Sequence, residues 1–229
     1  MRYALIGLLM ALTSATAAEA GVNVSIGINI PTYPRLVAVP GYPVYYAPRI
    51  DANYFFYDGL YWIYDDDQWL ASSWYNGPWR VVGPEYVPLY VLQVPVRYYR
   101  RPPAYFYAWR RDAAPRWGDH WGHDWQDRHG GWDRRDNRAH YAPAPLPNYQ
   151  RQYSGNRYPQ VQQQSQLQSQ HYRYQPREPV VQEHYQQQGL QQQAQRDGRG
   201  RGHEANRGER GERGHEHEHE HEGNRGHDR

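Results

Sequence analysis

Val22, Val24, Ile26, Ile28 and Ile30 alternate with Asn23, Ser25, Gly27 and Asn29, the period-two pattern of a half-buried strand. Pro31, Pro34, Pro40, Pro43 and Pro48 then interrupt the chain, which leaves room only for short extended pieces. Tyr54 to Tyr57 and Leu60 to Tyr64 flank Asp58-Gly59, a two-residue hairpin signal. Asp65-Asp66-Asp67 makes a second turn into Gln68 to Tyr75, and Asn76-Gly77-Pro78 turns the chain into Trp79 to Val82. The pattern predicts a β-meander. Between Tyr86 and Tyr99, apolar even positions from Tyr90 to Tyr98 suit a strand, while Pro88 and Pro95 suit a helical turn followed by an edge segment equally well. Leu60 to Tyr64 carries large apolar groups on both faces, yet a two-layer domain buries only one face of each sheet. Either the proline-rich segments fold back over the second face, or Tyr61, Trp62 and Trp74 form an exposed aromatic surface for sugar rings or a protein partner.

The amino terminus has a different pattern. Met1-Arg2 precedes an apolar run from Tyr3 to Leu12, followed by small residues ending in Ala15-Thr16-Ala17 and Ala18-Glu19-Ala20. Residues 1–20 read as a secretory signal peptide cleaved after Ala17 or Ala20, since the run is half the length of about 20 residues that spans a bilayer. The expectation is an exported protein of the periplasm or extracellular space that does not cross a membrane.

Composition divides the rest of the 229-residue chain into three parts. Residues 21–110 hold nearly all the aliphatic groups and form a small aromatic-rich β module. Residues 111–141 are a segment of Trp, His, Asp and Arg. Residues 142–229 begin proline-rich, with APAPLPN, become glutamine-rich, and end in Arg, Gly, His and Glu. With few aliphatic residues to offset ordering entropy of roughly 1–2 kcal/mol per residue, this last part is expected to be a long disordered tail. The predicted fold is therefore mainly β: one small β-meander domain after a signal peptide, followed by that tail.

The string from Tyr54 to Pro88 contains the hairpin Tyr57-Asp58-Gly59-Leu60-Tyr61 between aromatic runs, then Trp69-x-x-Ser72, then Asn76-Gly77-Pro78-Trp79. It resembles a module of uncharacterised secreted proteobacterial proteins, over roughly residues 45–105. Trp117-Gly118, Trp121-Gly122 and Trp125 are similar to the Trp/Gly repeats of such exported proteins, although their spacing departs from Y-x-W-G-x-W. The resemblance implies export and a small β fold, and carries over no functional residue.

Charge and residue usage exclude several chemistries. The net charge is +2, every basic residue is Arg, and there is no Cys. Thiolate metal sites and Cys nucleophiles are absent, as are Schiff-base and P-loop lysines. All 12 His stand at or beyond His120, so the β module holds no Ser-His-Asp arrangement and no histidine-ligated metal. Asp65, Asp66 and Asp67 are turn residues, at most a weak Ca²⁺ contact. The expectation is a protein that is not an enzyme and requires no cofactor. Nucleic acid is disfavoured as well, because residues 196–229 carry eight Arg against nine acidic groups and offer little counterion release.

Two sets of residues suit Zn, Ni or Cu ions. On one helix, His120, His123 and Asp124 would share a face, and Trp117, Trp121 and Trp125 would stack on another. The alternative is a charge-balanced segment that docks its Trp rings onto the module. In the run HEHEHEHE, His215, His217, His219 and His221 alternate with Glu and can wrap a divalent ion, or merely solvate the tail. The Gln/Tyr/Arg mixture from Tyr149 to Gln195 is a candidate for self-association. Two functions stay open. One is an exported non-enzymatic protein whose tail binds or buffers divalent transition metal. The other is an envelope-associated module contacting glycan or protein through exposed aromatics, with the tail as a solubilising spacer.

Overall fold

A computed structural model describes residues 23–24, 27–134 and 142–190. Residues 1–20, expected to be a signal peptide, and the His/Glu run at 215–222 lie outside them.

Among the described residues seven strands form one antiparallel sheet: β1 (Asn23–Val24), β2 (Val37–Ala38), β3 (Tyr45–Tyr46), β4 (Asn53–Tyr57), β5 (Leu60–Asp65), β6 (Gln68–Ser72) and β7 (Trp79–Val82). The order β1-β7-β6-β5-β4-β3-β2 is a continuous meander from β2 to β7, with β1 added beside β7. The expected hairpins form where the turn residues are. Asp58 and Gly59 take φ of 51° and 95°, Asp66 and Asp67 take 46° and 60°, and each pair closes a two-residue loop. The proline-rich stretch yields only the two-residue strands β2 and β3. Among the described residues of the long alternating strand expected over Val22 to Ile30, pairing is confined to Asn23 and Val24.

The ambiguous stretch after Tyr86 is helical. It contains α1 (Leu89–Leu92) and a 3₁₀ turn at Val96–Tyr98, started by Pro88 and Pro95 respectively. Further on come α2 (Trp117–Trp121), α3 (His123–Arg128), α4 (Val161–His171) and α5, residues 179–190. The architecture is thus an antiparallel sheet with α1, α2, α3 and α5 packed on one face, rather than a sheet alone.

Every residue of β4 is buried, and so is all of β5 except Asp65. Strands covered on both faces carry a continuous apolar run instead of an alternating one. On one face Phe55, Trp62, Tyr64 and Trp69 meet Val91, Leu92, Phe106, Trp117 and Trp125. On the other, Tyr54, Phe56, Tyr61, Ile63 and Leu70 meet Ile30, Ala47 and Ala144, with Tyr158, Tyr172 and Tyr174 packed around them. The register pairs Phe55 with Trp62 and Phe56 with Tyr61, so neighbouring rings on each face come from directly opposed positions.

The composition-based expectation of a disordered tail from residue 142 is corrected for residues 142–190. They run along the second face, pass the Asp58-Gly59 turn, and bury Val181 against the first. Aliphatic content is the wrong measure for this segment. Its burial comes from tyrosine rings, each a large apolar surface with one polar tip, and from glutamine amides that hydrogen-bond inside the fold.

Candidate functional site

Tyr61, Trp62 and Trp74 were candidates for an exposed aromatic surface, and the structure corrects that expectation. All three have zero solvent exposure. Trp62 lies under the α1–α3 layer. Tyr61 donates to the buried Gln150 Oε1 at 3.1 Å. Trp74 Nε1 donates to the Gln164 carbonyl at 3.1 Å, and its ring is edged by Tyr149, Tyr153 and Tyr158 at 5.6–5.8 Å. They are covered because both faces of the sheet are covered, one of them by the segment that composition excluded from the fold.

The NGPW element is likewise a structural grip. Asn76 Oδ1 accepts from the Ile30 amide at 2.7 Å. The Tyr158 hydroxyl donates to the Gly77 carbonyl at 2.7 Å and accepts from the Asn76 amide at 3.1 Å. One turn thereby holds the amino-terminal arm and residue 158 together.

Of the two expected metal sets, only His120 and His123 fall within the described residues. The helix that would align them is interrupted: Gly122, at φ 90° and ψ 176°, ends α2 and starts α3. His123 and Asp124 are exposed at the start of α3. His120 instead turns to the β5–β6 turn, where Nε2 sits 2.7 Å from Asp67 Oδ1 and the ring stacks on Tyr105 at 4.2 Å. Among the described residues no group of three His, Asp or Glu is arranged to hold a metal. Trp117, Trp121 and Trp125 do follow one another in contact, at 4.5 and 5.0 Å, with Trp117 and Trp125 buried. The segment docks through its rings.

Asp67 is the centre of a cluster that sequence reasoning missed. Its Oδ1 accepts from Tyr64 at 2.5 Å, from Tyr105 at 2.8 Å and from His120, and the two phenols also touch each other. Partial burial pushes the carboxyl up, but the three donors outweigh it and hold Asp67 below its usual range. Tyr64 and Tyr105 are pushed up, first by burial and then by the Asp67 carboxylate. The phenols therefore stay protonated and donate, and the carboxylate stays charged and accepts. The cluster latches α2 and the 105 region to the tip of the β5–β6 hairpin. The sequence separation of 53 between His120 and Asp67 explains why no local pattern announced it.

Comparison with family models, with curated proteins and with solved structures returns no match.

A second clasp ties residues 174–178 to the sheet. The Asp58 carboxylate is buried and accepts from the Tyr174 hydroxyl at 2.6 Å, the Arg177 amide at 2.9 Å and the Glu178 amide at 2.8 Å. Glu178 in turn accepts from the Tyr57 hydroxyl at 2.6 Å. The Arg177 and Glu178 amides precede α5, where a negative charge is also favoured by the helix dipole. Further along α5, His184 is 7% exposed, and Gln188 Nε2 reaches both His184 Nε2 at 3.0 Å and Ser73 Oγ at 2.8 Å. Loss of water, and then the nearby Arg80 charge, bring the His184 pKa down to about 3. This imidazole is neutral at physiological pH.

Proposed function

We propose that this is an exported, periplasmic, non-enzymatic protein in which a compact aromatic body carries a low-complexity segment that binds divalent transition metal. This reading also groups the chain with the secreted proteins its NGPW module resembles. The carrying observation is the alternation in sequence of His215, His217, His219 and His221 with Glu, a spacing that would bring four imidazoles to one side of the chain wherever it is extended. Zn²⁺, Ni²⁺ and Cu²⁺ all accept neutral imidazole, so affinity falls as pH drops through the histidine range. The body described above ends no earlier than α5, and α5 is fastened by Asp58 at its start and by Val181 and His184 along its length. No helix among the described residues is long and apolar enough to cross a membrane.

The test is calorimetric titration of Ni²⁺, Zn²⁺ and Cu²⁺ into the chain from residue 21 and into the same chain ending at Gln195. Sub-micromolar binding is expected in the first and absent from the second, with both melting at the same temperature. Replacing His215, His217, His219 and His221 together by Gln should abolish it. Equal binding by the long and short chains would refute the assignment to this run.

A further inference from the structure

We infer that the groove between α4 and α5 is a binding site for a short neutral oligosaccharide. The inference is independent of metal binding and uses a surface other than the Tyr61, Trp62 and Trp74 rings.

The groove encloses about 500 Å³, within the range of small-molecule sites. Its walls hold five glutamines and three tyrosines, and no charged side chain lines it among the described residues. The three rings are Tyr172, Tyr174 and Tyr185, all half-buried. Their hydroxyls are already committed: Tyr172 donates to the Pro145 carbonyl at 2.6 Å, Tyr174 to Asp58 at 2.6 Å and Tyr185 to the Gly59 carbonyl at 2.9 Å. These bonds fix the rings, and the surface left for a ligand is aromatic. A ring platform held before the ligand arrives loses little entropy on binding.

Around the rings the polar groups are amides. Gln175, Gln182 and Gln186 are exposed at the rim. A glutamine offers a donor and an acceptor side by side, and adjacent sugar hydroxyls offer the same in reverse. Gln168 supplies the more specific sign. It lines the groove with only 6% exposure, and its Oε1 has no hydrogen-bond partner among the described residues. A buried acceptor left unpaired is costly unless something donates to it. A hydroxyl in the groove, met by a small rotation of the amide, would satisfy it. Neutral amides and aromatic faces without a counter-charge select an uncharged polyhydroxyl ligand over a phosphate or an acidic sugar.

The probes are cellotetraose, maltotetraose and the tetramer of N-acetylglucosamine, each titrated into the chain from residue 21 by calorimetry and by saturation-transfer NMR. At least one should bind with Kd below about 1 mM. Gln168→Leu keeps the side-chain volume and removes the unpaired acceptor. It should weaken that binding about tenfold, or about 1.4 kcal/mol, without lowering Tm. Gln186→Ala, at an exposed rim position, gives a second variant whose fold is not in question and should also weaken binding. Absence of binding by all three sugars, or binding unchanged in both variants, overturns the site. Binding of a neutral Gln/Ser tetrapeptide in place of every sugar overturns it as well, in favour of a polypeptide ligand.

Discussion

Position 58 requires a residue that tolerates a φ of 51° and also an acceptor for three donors from residues 174–178. Asp meets both needs, because its short polar side chain suits the left-handed region and its two oxygens can each accept more than one bond. Next to it, Gly59 has φ 95°, and a Cβ there would stand 2.7 Å from the Tyr185 hydroxyl. The turn is therefore shaped for the strap that crosses it as well as for the hairpin. Asp58→Asn keeps the backbone preference but points an amide N–H at the Arg177 or Glu178 N–H. It should cost about 2 kcal/mol in urea unfolding, and Asp58→Ala about 3 kcal/mol because backbone strain adds to the lost bonds. Stability within about 0.5 kcal/mol of the natural protein for the Asn variant would show that the clasp is incidental.

At the scale of elements, the segment from 142 to 190 behaves as part of the fold despite its composition. Gln150 has no exposure, accepts from Tyr61 and the Tyr75 amide, and donates to the Ser73 carbonyl at 2.9 Å. A buried amide with its hydrogen bonds made is compatible with a core, and its removal strands the partners. A chain ending at Pro147 should therefore lose cooperative unfolding and bind a hydrophobic dye, because Tyr61, Trp74 and Tyr75 lose their cover. A chain ending at Gln195 should melt like the full protein. Cooperative melting of the shorter chain at an unchanged temperature would contradict the packing. The Trp segment shows the converse case. Its four-residue spacing brought the rings together as expected, but Gly122 broke the helix that was to align His120 with His123.

For the whole molecule, stability should depend on pH through His184, which links α5 to the sheet beside Arg80. The folded state keeps this imidazole neutral down to a pKa of about 3, whereas an unfolded histidine takes up its proton near 6.5. Below that pH the unfolded chain binds a proton the folded chain refuses. Unfolding free energy should then fall as pH drops from about 6.5 toward 3, at up to about 1.4 kcal/mol per pH unit. The lowered Asp67 contributes in the same direction only once pH falls below the ordinary carboxylate range, near 3.9. Chemical unfolding measured between pH 4 and 6.5 isolates the histidine. His184→Gln should flatten the profile there, and an unchanged slope in that variant would assign the dependence elsewhere.

Local pattern was enough for the hairpins. Asp58-Gly59, Asp66-Asp67 and the aromatic runs beside them specify their turns and strands through nearest neighbours along the chain, and the meander follows. The buried state of Tyr61, Trp62 and Trp74 was not legible in the same way, because it depends on what arrives from residues 87–132 and 142–190. The sequence showed that Leu60 to Tyr64 had two faces to cover, without saying which segments would cover them. The Asp67–His120 latch, the Asp58 clasp and the α4–α5 groove join residues dozens of positions apart, and only chain closure brings them together. The His/Glu run is the opposite case: the proposal that it binds metal rests only on four imidazoles at alternate positions in the sequence. Residue order alone therefore determined the turns, the hairpin pairing from β4 to β7 and the candidate metal run, since each rests on neighbours in the chain. Tertiary structure decided which aromatics are core, which histidine is neutral and where a groove opens, since burial and dielectric are properties of the surroundings.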